Sequence, residues 1–260
     1  MRVLFKKRTL FFFKTYNNGM VEMTKIKKEI QEAKRIVFLG GAGVSTASGI
    51  PDFRSPQGLY HVQSKYGVPY EVMLSHSYWE KHPDLFYDFY WSTMVNQKAK
   101  PNKAHLSLAD FEKKGHHIAV LTQNIDGLHT EAGSKRVYEL HGSVKRYTCV
   151  DCARHFQLED LRPSGIPLCP ECGGIIKPDV TLYEEALDED VLLSALNEIR
   201  FADFMIVGGT SLNAYPVAGL IDYFSGGKSL IINKEPTAKD REFDYVIHED
   251  IGKTLEELFG

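Results

Sequence analysis

A short apolar run followed at once by glycine-rich backbone is the feature that most constrains the fold of this chain. Residues 36–39 read Ile-Val-Phe-Leu, and Gly40, Gly41, Ala42 and Gly43 follow. A β-branched and aromatic run of this length, bounded by glycine, is typical of a buried strand. Backbone without Cβ atoms at a strand end can approach a phosphate closely. The stretch therefore predicts either a phosphate-binding turn or a tight turn with no ligand.

The glycine spacing matches the dinucleotide-binding fingerprint G-x-G-x-x-G only in part, because Thr46 occupies the position of the third glycine. Residues 49–54, Gly-Ile-Pro-Asp-Phe-Arg, are too polar and too broken for a core helix. They suit a loop that closes over a bound cofactor, and they suit an ordinary surface loop as well. The residues alone do not choose between the two.

Apolar runs of strand length alternate with segments of helical periodicity along most of the chain. Helices are predicted at 24–34, 77–97, 102–114, 188–200, 216–224 and 251–259, and strands at 36–39, 118–121, 204–207, 229–232 and 245–247. This alternation is typical of an α/β fold, a Rossmann-like parallel sheet with helices on both faces. Ligands of such sheets bind beyond the carboxyl ends of the strands.

All four cysteines lie in two C-x-x-C pairs, Cys149 with Cys152 and Cys169 with Cys172. This pattern predicts a tetrahedral Cys₄ zinc site, and four thiolates leave no open position, so the metal is expected to be structural. A pair of disulfides or a redox motif is the alternative. Because the cysteines are confined to one quarter of the chain, a disulfide-rich secreted protein is disfavoured and a cytoplasmic location is predicted. The module interrupts the α/β pattern and is therefore a small insertion.

Composition argues against two broad classes of function. The chain has 260 residues and a formal net charge of −3, which does not predict a nucleic-acid-binding surface. No apolar run approaches the roughly 20 residues of a membrane-spanning helix. Residues 1–22 combine basic residues with a short aromatic patch. They are predicted to form a disordered extension, with an amphipathic membrane-surface anchor as the alternative. A signal peptide is disfavoured, because the apolar patch is short and no small-residue cleavage site follows it.

Polar residues follow the predicted strand 118–121, where residues 122–129 read Thr-Gln-Asn-Ile-Asp-Gly-Leu-His. Taken alone, this segment can be a strand-to-helix loop in which Asn and Asp satisfy backbone groups. A single histidine such as His141 is likewise more often structural than catalytic.

Taken together and in order, the motifs resemble those of the sirtuins, which are NAD-dependent protein deacylases. The matching segments are 41–54, 122–129, His141-Gly142 just before the first cysteine pair, the two cysteine pairs, 209–212 and 231–235. The match runs from residue 36 to about residue 236, and the chain is identified as a member of the family, of the bacterial type with a Cys₄ zinc module. The resemblance implies a catalytic domain at 23–260. Its large Rossmann-like part comprises about 23–60, 100–142 and 178–260, and its small part comprises 61–99 and 143–177.

The resemblance also implies an NAD site. The residues expected to contact NAD are Gly41, Ala42, Gly43, Ser45, Asp52, Phe53, Arg54, Tyr60, Gln123, Asn124, Ile125, Asp126, His141, Gly209, Thr210, Ser211, Asn233, Lys234 and Glu235. His141, Asn124 and Asp126 are expected to be catalytic. In the implied reaction the acyl oxygen of an acylated lysine attacks the nicotinamide ribose, and His141 acts as general base on a ribose hydroxyl.

The implied products are nicotinamide, deacylated lysine and O-acetyl-ADP-ribose, and the implied partners are acylated lysines in proteins. The chain is expected to be a monomer. A protein mono-ADP-ribosyltransferase that uses the same NAD site is the alternative function. A hydride-transferring dehydrogenase is disfavoured by the incomplete fingerprint and by the lack of a separate substrate domain.

The segment expected to bind the substrate peptide departs from the family pattern. The expected contacts are Val180, Leu182, Tyr183, Glu184, Asn213 and Tyr215. The family usually has Phe-Gly-Glu where this chain has Tyr183-Glu184-Glu185, and Thr181 replaces a β-branched apolar residue. One hypothesis is that Glu184 favours peptides with basic flanking residues. The alternative is that its side chain points to solvent and has no effect.

The type of acyl group that the enzyme removes can also be predicted, because an arginine that binds negatively charged acyl chains is missing from this sequence. Sirtuins that prefer succinyl-type chains carry a Tyr-x-x-Arg pair for the distal carboxylate, and the matching stretch here is Tyr87-Asp88-Phe89-Tyr90. A carboxylate buried without a cationic partner is costly, so we expect turnover of acetyl and other neutral acyl groups and weak desuccinylase activity. NAD-dependent turnover of two peptides that differ only in the acyl group measures this, and faster turnover of the succinyl peptide would contradict it.

Overall fold

The centre of the fold is a six-stranded parallel sheet. The structure is a computed structural model, and it describes residues 16–52, 66–95, 98–213 and 216–260. Its strands are β1 (Ile36–Gly40), β2 (Ile118–Thr122), β3 (Val137–Glu139), β7 (Phe204–Gly208), β8 (Lys228–Ile232) and β9 (Tyr245–Ile247). Their spatial order is β3-β2-β1-β7-β8-β9, and every neighbouring pair is parallel. All five predicted strands are present. The sixth, β3, was not predicted, because it is three residues long and only partly buried.

Helices cover both faces of this sheet. The α-helices are α1 (Tyr16–Glu32), α2 (Tyr70–Met73), α3 (His76–Lys81), α4 (Pro83–Phe89), α5 (Lys103–Lys113), α6 (Leu128–Ala132), α7 (Glu189–Phe201) and α8 (Ile251–Phe259). Ile36 and Phe38 of β1 pack with residues of α1, α5 and α8, whereas Val37 and Leu39 pack with α7. Successive strand residues face opposite sides, so every residue of β1 is buried. The predicted α/β class is confirmed.

The region predicted as one helix at 77–97 is instead three short pieces. Helix α3 ends at Lys81, and α4 begins at Pro83, a residue that starts helices well but cannot donate a backbone hydrogen bond inside one. The turn at Tyr90–Met94 is a π-helical turn. Similarly, the predicted helix at 216–224 is a 3-10 segment at Val217–Tyr223.

A second, antiparallel sheet accounts for the cysteine-rich part of the chain. Its order is β5-β4-β6, with β4 at Gly142–Cys149, β5 at His155–Gln157 and β6 at Ile176–Val180. Tyr147 and Ile176 are buried against the aromatic residues of α4 and the π-helical turn. The sequence did not predict these strands, because their apolar residues are isolated and not in runs. This part of the chain therefore has an apolar core of its own besides its cysteines.

The strand ends of the large sheet meet at one edge. Gly40 is in register with Thr122 on one side and with Gly208 on the other, and Gly208 pairs with Ile232. The loops after β1, β2, β7 and β8 therefore leave the sheet side by side. The chain runs outward from β1 to β2 and later returns to β7 on the other side of β1, so β1 and β7 form the topological switch point where such folds bind ligands.

The ends of the predicted domains remain predictions. Helix α1 begins at Tyr16, inside the stretch 1–22 that the sequence assigns to a disordered extension, and residues 1–15 lie outside the described part of the chain. Strands β4 and β6 each cross a predicted boundary between the large and small parts. Within the described ranges, no helix has the length and apolarity needed to cross a bilayer.

Gly142 is a position where the structure requires glycine. Its φ is +75°, and a Cβ atom there would overlap the carbonyl oxygen of Asp179. We expect Gly142→Ala to lower the free energy of unfolding by more than about 2 kcal/mol, since overlap adds to backbone strain. Gly165→Ala is the matched control: its φ is +61° with nothing within 4 Å of the added atom, so strain alone should cost about 1 kcal/mol. Urea denaturation measures the free energy of unfolding of both variants. Equal losses in the two would show that the overlap at residue 142 adds no cost.

Candidate active site

The turn after β1 lies in close contact with the turn after β7. The Gly41 N–H donates to the Gly208 carbonyl at 3.3 Å, and the Gly43 N–H donates to the Gly209 carbonyl at 2.8 Å. A Cβ atom on Gly43 would lie 2.9 Å from the Gly209 Cα, so only glycine allows this approach. Residues Ala42–Val44 form a single 3-10 turn and not the start of a long helix. Thr46 is exposed there, so no close packing requires a third glycine.

Ser45 joins this turn to the loop after β2. The Ser45 hydroxyl is buried, donates to Asp126 Oδ2 at 2.6 Å, and accepts from Asn124 Nδ2 at 3.0 Å. Asn124 Nδ2 also lies 3.1 Å from the Gly41 carbonyl oxygen, and Asp126 Oδ1 accepts from the Leu128 N–H at 2.8 Å. Three residues that the resemblance assigns to NAD are therefore held in one hydrogen-bonded group. Their side chains meet although Ser45 is far from the other two in the sequence.

His141 reaches the same edge from the start of the second sheet. Its backbone carbonyl accepts from the Thr181 N–H at 2.9 Å, and its Nδ1 lies 3.0 Å from the Gln123 carbonyl oxygen. A carbonyl only accepts, so the proton of the neutral ring is on Nδ1 and Nε2 carries the free lone pair. Burial lowers the pKa of the His141 imidazole below its ordinary value, although the hydrogen bond to Gln123 opposes this. Near pH 7 the ring is therefore a neutral base.

Thr210 and Asn233 form the adjoining part of the edge. The Asn233 amide is buried and bonds the Thr210 backbone twice, accepting from its N–H at 3.0 Å and donating to its carbonyl at 2.9 Å. Gln123 Nε2 donates to the Thr210 hydroxyl at 3.1 Å. The oxygen and the nitrogen of the Asn233 side-chain amide thus both hold the turn after β7. The buried Asn233 side chain therefore fixes the backbone conformation at Thr210.

The other predicted NAD residues are less closely joined to this group. Ser211 and Asp52 are half-buried, and Ile125 packs against the core of the small part. Lys234 is largely exposed and lies 3.2 Å from Asp250, and Glu235 is exposed. Phe53, Arg54 and Tyr60 lie outside the described residues, as does Tyr215 of the predicted peptide contacts. Every assignment of an NAD contact remains a prediction.

The segment predicted to bind peptide runs beside the start of α3. Val180 and Leu182 are buried, whereas Tyr183 and Asn213 are exposed. The Tyr183 N–H donates to the Leu74 carbonyl at 2.9 Å, and the Tyr183 carbonyl accepts from the His76 N–H at 3.0 Å. The segment is thereby attached along one edge to Leu74 and to the first residue of α3.

Glu184 makes a contact that the sequence did not predict. It has φ +76°, in the left-handed region where the family usually has glycine. Its carboxylate accepts from the Ser77 N–H at 2.9 Å and from the Ser77 hydroxyl at 3.1 Å, in the first turn of α3. These bonds lower the pKa of the Glu184 carboxyl. The side chain therefore attaches the peptide segment to α3, and the hypothesis that it selects basic peptides stays a prediction.

The four cysteines come together as predicted. Their sulfur atoms all lie within 4.8 Å of one another, with Cys149 and Cys172 3.4 Å apart and Cys152 and Cys169 3.7 Å apart. A tetrahedral zinc ion with Zn–S bonds of about 2.3 Å requires sulfur atoms about 3.8 Å apart, whereas a disulfide requires about 2.05 Å. The donor set therefore fits zinc, and neither pair is a disulfide.

Tyr87 cannot receive a distal carboxylate in this conformation. It is fully buried, and its hydroxyl donates to the Ile176 carbonyl at 2.7 Å. Burial also raises the pKa of the Tyr87 hydroxyl well above its ordinary value. Tyr87, which matches the tyrosine of the succinyl-binding pair in other sirtuins, thus belongs to the core of the small part of the fold.

Two residues near the site were missed at the sequence level. Asn102 donates through Nδ2 to the Val44 carbonyl at 2.8 Å and to the Ser48 hydroxyl at 2.9 Å. His105 is fully buried, with its Nε2 3.4 Å from the Ser45 hydroxyl. The available signal was an Asn at a helix start followed three residues later by a side chain able to bond back to it.

The comparisons with known proteins agree with this geometry. The model of the Sir2 family matches residues 41–216. The chain belongs to the Sir2 family. It is 53% identical to a Clostridium acetobutylicum protein named NAD-dependent protein deacetylase, over 90% of this chain and 97% of that one. A Staphylococcus aureus family member of the same name is 41% identical, over 91% of this chain and 98% of the relative.

Solved structures of family members have the same fold. A Sir2 structure with a p53 peptide and NAD⁺ has a TM-score of 0.79 and 37% identity, covering 91% of this chain and 96% of that one. A Sir2 variant with a deacetylated p53 peptide and 3′-O-acetyl-ADP-ribose has a TM-score of 0.81 and 38% identity, again covering 91% and 96%. Membership in the family therefore rests on sequence and fold together.

The Glu184 contact generates a stability prediction. Both Glu184→Ala and Glu184→Gly remove the bonds to Ser77, but only alanine keeps the strain of a left-handed backbone. We expect Glu184→Ala to lower the melting temperature, and Glu184→Gly to lower it less or not at all. Thermal denaturation followed by circular dichroism measures both. A larger drop for the glycine variant would show that backbone strain at residue 184 is unimportant.

Proposed function

We propose that this protein is an NAD-dependent protein-lysine deacetylase that releases nicotinamide, deacylated lysine and O-acetyl-ADP-ribose. The observation that carries the proposal is the placement of His141: its Nδ1–H is bound to the Gln123 carbonyl, which leaves Nε2 as the basic nitrogen, and Gln123 belongs to the same loop as Asn124 and Asp126. The names of the relatives and the peptide and NAD complexes of the structural neighbours support the same reaction.

The proposed NAD site lies at the carboxyl ends of β1, β2 and β7. NAD supplies an electrophilic ribose carbon and the nicotinamide leaving group. The glycine turn Gly41–Gly43 can lie close to phosphate because it carries few side-chain atoms. Asn124 and Asp126, oriented by Ser45, provide an amide and a carboxylate for the polar groups of the nicotinamide ribose. Phe53 and Arg54 are proposed to cover the ribose and contact phosphate, on the resemblance alone.

His141 is the proposed general base. Its Nε2 takes a proton from a ribose hydroxyl, and the imidazolium that forms keeps its Nδ1–H bond to the Gln123 carbonyl. Because burial lowers the pKa of this imidazole, the base form is populated near neutral pH. The four-cysteine site has no open coordination position when zinc is bound, so the metal has a structural role and takes no part in this proton transfer.

The acylated lysine is proposed to enter with its peptide extended between segment 180–184 and the region of Asn213. Tyr183 already pairs with Leu74 and His76 on one side, which keeps the segment extended. Backbone pairing with such a segment binds peptides with little side-chain selectivity. Neutral acyl groups are favoured, since the Tyr87 hydroxyl is bound to Ile176 and the stretch 87–90 offers no arginine.

We also propose that the protein acts as a monomer in the cytoplasm and does not bind nucleic acid. The net charge of −3 supports the last point. The use of all four cysteines in one metal-type cluster, with no disulfide, supports an intracellular location.

Mass spectrometry of a reaction with NAD and an acetyl-lysine peptide tests the function. We expect equal amounts of nicotinamide, free-lysine peptide and O-acetyl-ADP-ribose, and a loss of at least about a hundredfold in His141→Ala, because a general base contributes that much or more. The acid limb of the kcat/KM profile, which reports groups of the free enzyme, should have its midpoint below pH 6.5, since activity is lost only as pH falls through the lowered pKa of His141.

Two results would overturn the proposal. Nicotinamide release without an acylated peptide, together with ADP-ribose attached to protein, would favour the mono-ADP-ribosyltransferase. An acid limb centred above pH 6.5, or unchanged in His141→Ala, would remove His141 as the base.

A further inference from the structure

Glu185 follows directly on the segment proposed to receive the peptide, and its half-buried carboxylate holds that segment in place. The carboxylate accepts from the Leu182 N–H at 2.8 Å and lies 3.2 Å from the ammonium group of Lys177 in β6. Burial raises the pKa of the Glu185 carboxyl, but hydrogen bonds from His76 and Leu182 outweigh that effect, so the pKa lies below its ordinary value. Near pH 7 this group is therefore an ionised carboxylate that only accepts hydrogen bonds.

The His76 ring lies between two carboxylates. Its Nδ1 is 2.8 Å from Glu185 Oε1, and its Nε2 is 3.4 Å from Glu80 Oε1, one turn further along α3. A neutral imidazole has one N–H and can donate to only one of the two, whereas the imidazolium can donate to both. The hydrogen bond with Glu185 raises the pKa of the His76 imidazole above its ordinary value, and the opposing effect of burial is smaller. The two carboxylates therefore favour the cationic ring.

The other charged groups near His76 do not oppose its positive charge as a set. Glu184 lies beside it, with its carboxylate bound to the first turn of α3, and its charge interacts with that of His76. Lys81 of the same helix acts on Glu184. Lys177 is a cation on the other side of Glu185, and its ammonium group is 3.1 Å from the same carboxylate oxygen that His76 contacts.

The start of α3 thus binds three successive residues of the peptide segment. The His76 N–H donates to the Tyr183 carbonyl at 3.0 Å. The Ser77 N–H donates to the Glu184 carboxylate at 2.9 Å. The His76 ring completes the series at Glu185. This third contact weakens when the ring loses its charge, because a hydrogen bond from a charged donor is about twice as strong as one from a neutral donor.

We propose that His76 is a positioning residue for the acylated peptide, and that its imidazolium, bound to Glu185, holds residues 183–185 in the conformation that receives the peptide. The proposal rests on the proposed function, in which segment 180–184 pairs with the peptide backbone. His76 acts on the substrate only through the backbone that it holds. Because the pKa of its imidazole is raised, the full contact is present below pH 6.5 and weakens as the pH rises through the raised pKa.

A purely structural role in α3 is the competing explanation. It predicts a lower melting temperature for a His76 variant, with KM for the peptide unchanged. Positioning predicts instead a KM for the peptide that follows the protonation of the ring. Two substitutions separate these roles, because His76→Gln offers an N–H donor that is never charged, whereas His76→Arg is charged at every pH of the experiment.

The test measures steady-state kinetics of the full chain from about pH 6 to about pH 9, with an acetyl-lysine peptide that has blocked termini and no histidine. For the wild type we expect KM for the peptide to rise about threefold over this range, the size of a half-exposed hydrogen bond that loses the charge of its donor. We expect KM for NAD to stay constant, since the contact lies in the peptide segment.

The variants assign this rise to one ring. For His76→Gln we expect KM for the peptide to be about threefold above wild type already at the acid end of the range and to stay level. For His76→Arg we expect it to stay level near the wild-type acid value. His82→Gln is the matched control, since His82 follows the same helix and its ring packs on Tyr78 with centroids 4.9 Å apart. This control should keep the wild-type pH profile.

Three results would overturn the proposal. The first is a wild-type KM for the peptide that does not change with pH. The second is a rise that persists in His76→Gln, which would assign the titration to another group. The third is a His76→Gln enzyme in which only the melting temperature changes, which would make the role structural. A wild-type enzyme that releases no nicotinamide with this peptide at any pH would overturn the proposed function, and this proposal with it.

Discussion

The contact between the turns after β1 and β7 is the constraint on which the rest of the site depends. The Gly43 N–H donates to the Gly209 carbonyl, and the two backbones approach to a distance that leaves no room for a Cβ atom. This contact brings the loops from two neighbouring parallel strands together at the switch point of the sheet. It also orients Ser45 toward the loop after β2, where the Ser45 hydroxyl forms hydrogen bonds with Asn124 and Asp126.

Polar groups at this edge are arranged by matching donors with acceptors. Each buried polar atom must find a partner, because a buried group without one is costly. At Ser45 and at His105 this requirement leaves a single assignment of protons, and at His141 the Gln123 carbonyl does the same. The result is a neutral imidazole and a hydrogen-bonded carboxylate that are oriented before any ligand binds. Such preorganisation is what an active site needs to stabilise developing charge.

The small part of the fold is linked to the carboxyl edge of the large sheet through His141, which contacts the loop after β2. Strand β4 begins at Gly142, next to His141, and ends at Cys149, the first residue of the cysteine cluster. Strand β6 pairs with β4 and leads into the segment 181–185, which Glu184 and Tyr183 attach to α3. A structural metal at the cysteines would therefore support the far end of the strand whose first residue follows His141. The cysteine cluster and His141 are thus connected by one strand.

Much of this could be predicted from the sequence because the signals are local. Apolar runs ending in glycine indicate buried parallel strands, and two C-x-x-C pairs indicate a metal-type cluster, since in both cases a few neighbouring residues determine the local chemistry. The short strands β3, β5 and β6 were not predictable in this way, because isolated apolar residues such as Phe156 become strand residues only when a partner strand and an apolar core are present.

The sequence by itself thus determined the fold class, the cysteine cluster, the order of the strand-end loops and the family. Only the tertiary structure decided which nitrogen of His141 is basic, that Glu184 bonds Ser77 in the first turn of α3, and that His105 lies behind Ser45. The physical reason is that protonation and orientation depend on partners such as Gln123, Ser77 and Asn102, and for His141 and Glu184 those partners are distant in the chain. Even where the partner is near, as Asn102 is to His105, the contact of His105 with Ser45 forms only when separate parts of the chain meet at one edge of the sheet.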